Sequence, residues 1–211
     1  MPPNQLLTFI ASRIRLLLTK TLLLQAMVGL YFPVCAQFSD NFADGDFTTN
    51  PEWTGTVSHF MVNANGQLQL NNPGQATTSF LSAASASPTL NGYEWQFFIR
   101  LAFAPSGNNF ARVYLVSDQF DITGPLNGYF LQFGEAGSAD AIELFRQTGV
   151  NTVSVCRAST SGGIASAFAV RVRVLRSDVG LWQLFVDYAG GNDFVLEATG
   201  TDNTYETSSY F

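Results

Sequence analysis

Tyr93-Glu94-Trp95-Gln96-Phe97-Phe98-Ile99-Arg100-Leu101-Ala102-Phe103 is the stretch on which the fold reading turns. Its odd positions (Tyr93, Trp95, Phe97, Ile99, Leu101 and Phe103) are all apolar, and its even ones include Glu94, Gln96 and Arg100. Successive side chains of a strand point to opposite faces. The run therefore predicts a strand with one face in a core and the other largely polar.

The same alternation recurs outward from this stretch. Ala111, Val113 and Leu115 alternate with Arg112 and Tyr114; Val170, Val172 and Val174 alternate with Arg171 and Arg173; Trp182, Leu184 and Val186 alternate with Gln183, Phe185 and Asp187. Alternation of this kind belongs to antiparallel sheets with one solvated face. Turn signals separate the runs, among them Asp44-Gly45, Asn91-Gly92, Ser106-Gly107-Asn108, Asn127-Gly128 and Ser161-Gly162-Gly163. Phe60–Asn63 and Gln67–Leu70 flank Ala64-Asn65-Gly66 as a hairpin, for which Asn-Gly predicts a type I′ turn. Regularly spaced short strands with turn punctuation predict an all-β fold, a two-sheet antiparallel β-sandwich. Ser208-Ser209-Tyr210-Phe211 reads like the start of a strand, so the sequence is expected to be a fragment lacking its last strand.

The N-terminus changes the counts. Arg13, Arg15 and Lys20 precede an apolar run from Thr21 to Phe32; Pro33 and Val34-Cys35-Ala36 follow, with small residues at −3 and −1 of a cut before Gln37. That is the pattern of a secretory signal over residues 1–36, and the run is short of the roughly 20 apolar residues a spanning helix needs. A single domain, residues 37–211, is expected to remain. A chain of this size buries about 70% of its unfolded surface, enough for one core.

All sixteen acids lie after the cut against seven arginines and no lysine, a formal charge of −9. Such a surface repels phosphate backbones, which disfavours a nucleic-acid partner. Of the two cysteines, Cys35 leaves with the signal; Cys156 is expected to be a buried small hydrophobe rather than a reactive thiol.

Catalytic patterns are thin. His59 is the single histidine and no Gly-x-Ser-x-Gly elbow is present, so a structural His59 is expected. A histidine-based zinc site lacks ligands. Glu94 and Glu143 could serve a glycosidase if their carboxylates stood about 5–10 Å apart. The preferred reading has them salt-bridged across strands to Arg171 or Arg173. Asp40, Asp44 and Asp46 are dense in oxygen ligands and make a structural calcium conceivable, but the spacing is not that of an EF-hand, and such residues also build turns. No other cofactor is expected. The remaining candidate is the polar sheet face itself: Glu94, Gln96, Arg100, Arg112, Tyr114, Gln132, Arg171, Arg173 and Gln183. With Tyr114 and Phe98 as exposed aromatics, these residues would suit a sugar; the plain alternative is an ordinary solvated face.

Phe38-Ser39-Asp40-Asn41-Phe42-Ala43-Asp44-Gly45-Asp46-Phe47, followed by Trp53-Thr54-Gly55, resembles the opening of a concanavalin A-like (LamG-like) jelly-roll module. Similar stretches include Ala111–Asp118, Asn127–Phe130, Ile142–Gln147 and Val170-Arg171-Val172 leading to Gly180-Leu181-Trp182. Such modules begin many large bacterial cell-surface proteins, some with lamin-tail domains. The resemblance implies a jelly-roll sandwich with a sugar-binding or adhesive role and carries over no catalytic residue. The expected protein is therefore secreted or at the bacterial cell surface, periplasmic if not exported further, without a membrane span after cleavage. It would bind a glycan or surface partner without catalysis. A structural or adhesive spacer is the alternative, and a glycoside hydrolase or lyase stands behind both.

Overall fold

The computed structural model describes residues 38–72, 77–84 and 89–211. The expected signal segment lies outside the described residues. Twelve strands follow in chain order: β1 (Trp53–Gly55), β2 (Phe60–Val62), β3 (Leu68–Leu70), β4 (Leu81–Ala83), β5 (Tyr93–Leu101), β6 (Ala111–Ser117), β7 (Leu126–Phe133), β8 (Glu143–Gly149), β9 (Asn151–Arg157), β10 (Phe168–Arg176), β11 (Leu181–Asp187) and β12 (Val195–Thr201). The described residues contain no α-helix, only a single 3₁₀ turn at Val57–His59.

The protein is an all-β antiparallel sandwich. Sheet one has the order β12-β11-β10-β5 and sheet two the order β6-β7-β8-β9; β1–β4 and β2–β3 form two small pairs. Alternation places Val170, Val172 and Val174 of β10 and Trp182, Leu184 and Val186 of β11 on the inner face of sheet one, each essentially without solvent contact. They meet Tyr129, Leu131 and Phe133 of β7, Leu144 of β8 and Cys156 of β9 in one core. Aromatic rings bridge the layers: Tyr129 lies 4.6 Å from Trp182, and Phe97 lies 6.3 Å from Phe133. Burying each large apolar side chain contributes roughly 1.5–3 kcal/mol, so this core dominates stability.

The segment Ser208–Phe211 lies between elements rather than at a margin. Tyr210 bridges Ser117 on one side and Ala84 on the other, and Phe211 exchanges two backbone hydrogen bonds with Ala83 (2.9 and 3.1 Å). No strand forms there; Tyr210 makes isolated bridges that join β4 to β6.

The β2–β3 hairpin forms with Phe60 opposite Leu70, but its turn is not type I′. Only Gly66 has positive φ (67°); its N–H donates to Asn63 O at 2.9 Å, and Asn63 N–H donates to Gln67 O at 2.9 Å. This is a type I turn closed by a left-handed glycine. Asn63 explains the difference, because its side-chain oxygen accepts from the Asn65 and Gln67 amides (2.9 and 3.2 Å) and holds the longer loop.

Candidate functional site

The nine residues expected on one polar face are divided between the two outer surfaces of the sandwich. Glu94, Gln96 and Arg100 of β5, Arg171 and Arg173 of β10 and Gln183 of β11 share the outer face of sheet one, where register sets Arg173 beside Gln96 and Phe185. Arg112, Tyr114 and Gln132 belong to β6 and β7 and face outward from sheet two. A groove lined jointly by Arg112, Tyr114, Arg171 and Gln183 is therefore ruled out by the fold. Alternation assigns each side chain to the inner or outer face of its own sheet and is silent on which sheet that is.

On the face of sheet one, Glu94 and Arg173 form an ion pair, while the buried Nε atoms of Arg171 and Arg173 have no hydrogen-bond partner among the described residues. Arg173 Nη2 donates to Glu94 Oε2 at 3.4 Å, and Nε lies 3.1 Å from Oε1 without hydrogen-bond alignment. The same guanidinium stands 5.6 Å from the centre of the Phe185 ring. The expected Glu94–Arg173 pairing is present. Phe98 is exposed as anticipated.

The face of sheet two carries a denser arrangement. Arg112 Nε donates to Gln132 Oε1 at 3.0 Å while its guanidinium lies 4.4 Å from the centre of the Phe130 ring. One register step further, Glu143 opposes both Gln132 and Arg157. Arg157 Nη1 donates to Glu143 Oε2 at 2.9 Å and to Glu135 Oε2 at 3.1 Å, and Nη2 donates to Glu135 Oε1 and to Ala139 O (3.0 Å). The bonds that Arg157 donates to Glu135 foremost, with the one to Glu143 and both carboxylate charges, outweigh partial burial and raise its pKa above the ordinary value. Gln132, Glu135, Glu143, Phe145 and Arg157 line a shallow depression, with the Phe145 ring stacked on Phe130 at 5.4 Å.

Tyr114 is not the exposed platform expected. It is buried, its hydroxyl donates to Gln147 Oε1 at 2.7 Å, and burial raises its pKa. Leu126 and Ile122, the latter from the loop between β6 and β7, pack against the Tyr114–Phe130 cluster. Glu143 pairs with Arg157 and not with Arg171 or Arg173, because its neighbour across the sheet is β9 and not β10.

Glu94 and Glu143 project from opposite outer faces, across two sheets that pack about 10 Å apart. That separation excludes them as carboxylates flanking one glycosidic bond. His59 Nδ1 is paired with Ser79 Oγ at 2.8 Å. Cys156 is buried, and burial first, then the Glu143 charge, pushes its pKa up to about 11.

The carboxylates of the acidic loop accept from nearby amides and from a few side chains. Asp40 accepts from Phe42 N (2.8 Å) and Trp53 Nε1 (2.9 Å), and Asp44 accepts from Asp46 N (3.1 Å). Asp46 accepts from the amides of Phe47 and Thr48 (both 2.8 Å) and from the Thr49 hydroxyl. Among the described residues no group of three or more His, Cys, Asp or Glu side chains is arranged to hold a metal ion. Turn formation accounts for Asp40, Asp44 and Asp46.

Searches against protein-family models, curated protein sequences and solved structures return no match to the chain.

Glu135, Phe145 and Arg157 were not among the residues expected from the sequence. A signal was present for two of the ion-paired residues. Gly149 ends β8 and Val150 alone separates it from β9, and the tight turn there brings Glu143 opposite Arg157 once a bulge between Leu144 and Phe145 is included. Glu135 comes from the loop after β7, and nothing in the alternation places it.

Proposed function

We propose that this chain is a non-catalytic, secreted or cell-surface module of the concanavalin A-like kind that binds carbohydrate on the outer face of sheet two. The observation that carries this reading is the depression in which Gln132, Glu135, Glu143 and Arg157 converge beside the Phe145 ring. Sugars call for directional donors and acceptors next to an apolar or aromatic surface, and binding sites combine these in a concave lining. Arg157 holds both carboxylates in fixed positions as acceptors. An ion-paired carboxylate is poorly suited to serve as a proton donor, which favours binding over hydrolysis.

The test is a glycan array probed with the wild type and with Gln132→Ala and Glu143→Gln. The reading expects a defined set of hits that both variants lose while their melting temperatures stay near the wild type. A blank array, or hits indifferent to both substitutions, overturns it.

A structural or adhesive spacer is the second reading. The engagement of Arg173 by Glu94 and by the Phe185 ring on sheet one favours it. It expects a blank array.

A further inference from the structure

Each sheet of a sandwich has two ends, and three of the four are engaged. The β6 end is extended by Tyr210, whose carbonyl accepts from Ser117 N at 2.9 Å. The β9 and β12 ends close on each other, where Ser159 N–H, just past β9, donates to Glu197 O of β12 at 3.2 Å. The fourth is β5. Among the described residues it pairs with β10 on one side and with no strand on the other.

β5 is an unusual edge. It runs nine residues without proline or bulge, although protein edges are commonly short, bent or broken to prevent pairing with another chain. Its core-facing residues Trp95, Phe97 and Ile99 are only partly buried, whereas the adjacent Val170, Val172 and Val174 are fully so. Apolar surface is thus left open on the strand whose outer backbone groups pair with no strand among the described residues.

The sequence of the edge is also complementary to itself. With Phe97 placed opposite Phe97 of a second, antiparallel copy, Glu94 falls opposite Arg100, Trp95 opposite Ile99, and Gln96 opposite Phe98. Opposed residues share a face. The Glu94–Arg100 pairs therefore meet on the outer face at both ends, and the aromatic and aliphatic pairs meet on the inner face. Among the described residues Arg100 makes no ion pair within its own chain.

We propose that two copies of this chain associate by antiparallel pairing of their β5 edges about a twofold axis at Phe97, making one continuous sheet from the two copies of sheet one. The interface is isologous, so each contact occurs twice. It is distinct from the depression on sheet two, and its fate in experiment does not depend on whether that depression binds a sugar.

The experiment is sedimentation equilibrium of the full chain and three charge variants, with far-UV circular dichroism to confirm folding. The wild type is expected to form a concentration-dependent dimer. Arg100→Glu leaves the Glu94–Arg173 pair intact but sets two carboxylates against each other at both ends of the paired edges. It is expected to weaken the dimer on the order of tenfold. Glu94→Arg should weaken it similarly, and the double variant Glu94→Arg/Arg100→Glu should restore it. A wild type that remains monomeric at every concentration, a dimer indifferent to Arg100→Glu, or failure of the folded double variant to recover overturns the proposal. Should Glu94→Arg not fold, Arg100→Glu decides alone.

Discussion

The hydroxyl of Tyr129 donates to Asp202 Oδ1 at 2.6 Å, and this contact ties the middle of β7 in sheet two to the turn that follows β12 in sheet one. Asp202 also forms an ion pair through Oδ2 with Arg146 of β8 and accepts the Thr204 amide at 2.9 Å, while its backbone carbonyl accepts Trp182 Nε1 at 2.9 Å. Tyr129 in turn accepts the Tyr205 amide at 3.2 Å. One carboxylate thus gathers groups from both layers at the end of the core.

Removing the Tyr129 hydroxyl leaves a partly buried, charged acceptor short of one donor. Hydrogen bonds to charged groups contribute about 1.5–3 kcal/mol. Tyr129→Phe should therefore lower the unfolding free energy by about that amount, read from urea denaturation midpoints with an unchanged slope. A loss below about 0.5 kcal/mol would show that water replaces the hydroxyl.

Asp202 should also mark the acid limb of stability. Burial acts to raise its pKa, but donation from Tyr129, the Thr204 amide and hydroxyl, and the Arg146 charge together outweigh burial and lower it below the ordinary 3.8. A lowered folded-state pKa means that the unfolded chain binds the proton more readily, so stability rises with pH through this window. The contribution is complete above the ordinary carboxylate value and is lost as pH falls towards and through the folded one. Asp202→Asn should be less stable than wild type at pH 7 and show a shallower fall between pH values of about 5 and 2. Parallel stability–pH curves for the two proteins would refute this role.

Cys156 is expected to be inert in the folded state. Its thiol is buried, and a pKa of about 11 leaves almost no thiolate at neutral pH. Labelling by a chromogenic disulfide reagent should track global unfolding in denaturant. Fast labelling of Cys156 in the native protein would contradict the packing around Leu144 and Cys156.

Two glycines should respond oppositely to alanine. A Cβ on Gly128 would lie 1.9 Å from Val116 O, a backbone atom fixed by the β6–β7 ladder beside its bulge. Gly128→Ala should cost about 3 kcal/mol or more, or prevent folding, as overpacking against an immovable neighbour does. Gly124 has open space at the same position and no positive φ, so Gly124→Ala should be neutral or stabilising by up to about 1 kcal/mol through the unfolded chain. Thermal melts of the two variants check both signs.

Local pattern in the sequence determined the strands and, within each, which side chains enter the core. The period of two is a property of one strand, and Trp95, Phe97, Val172 and Trp182 all stand on the inner side that it assigns. A pairing of Glu94 with Arg171 or Arg173 was legible from opposite charges on polar strand faces, and the register of β5 against β10 selects Arg173. The tertiary structure alone decided which strand neighbours which. β5 pairs with β10 although β6, β7, β8 and β9 intervene in the chain, and this places Phe98 opposite Arg171. That partnership separates Arg171 and Gln183 from Arg112 and Gln132 by the thickness of the core. Such long-range register is set by the closing of the whole core and not by any short window of residues. The depression built from Glu135, Glu143 and Arg157, like the edge of β5 that no strand pairs among the described residues, exists only once that closing is complete.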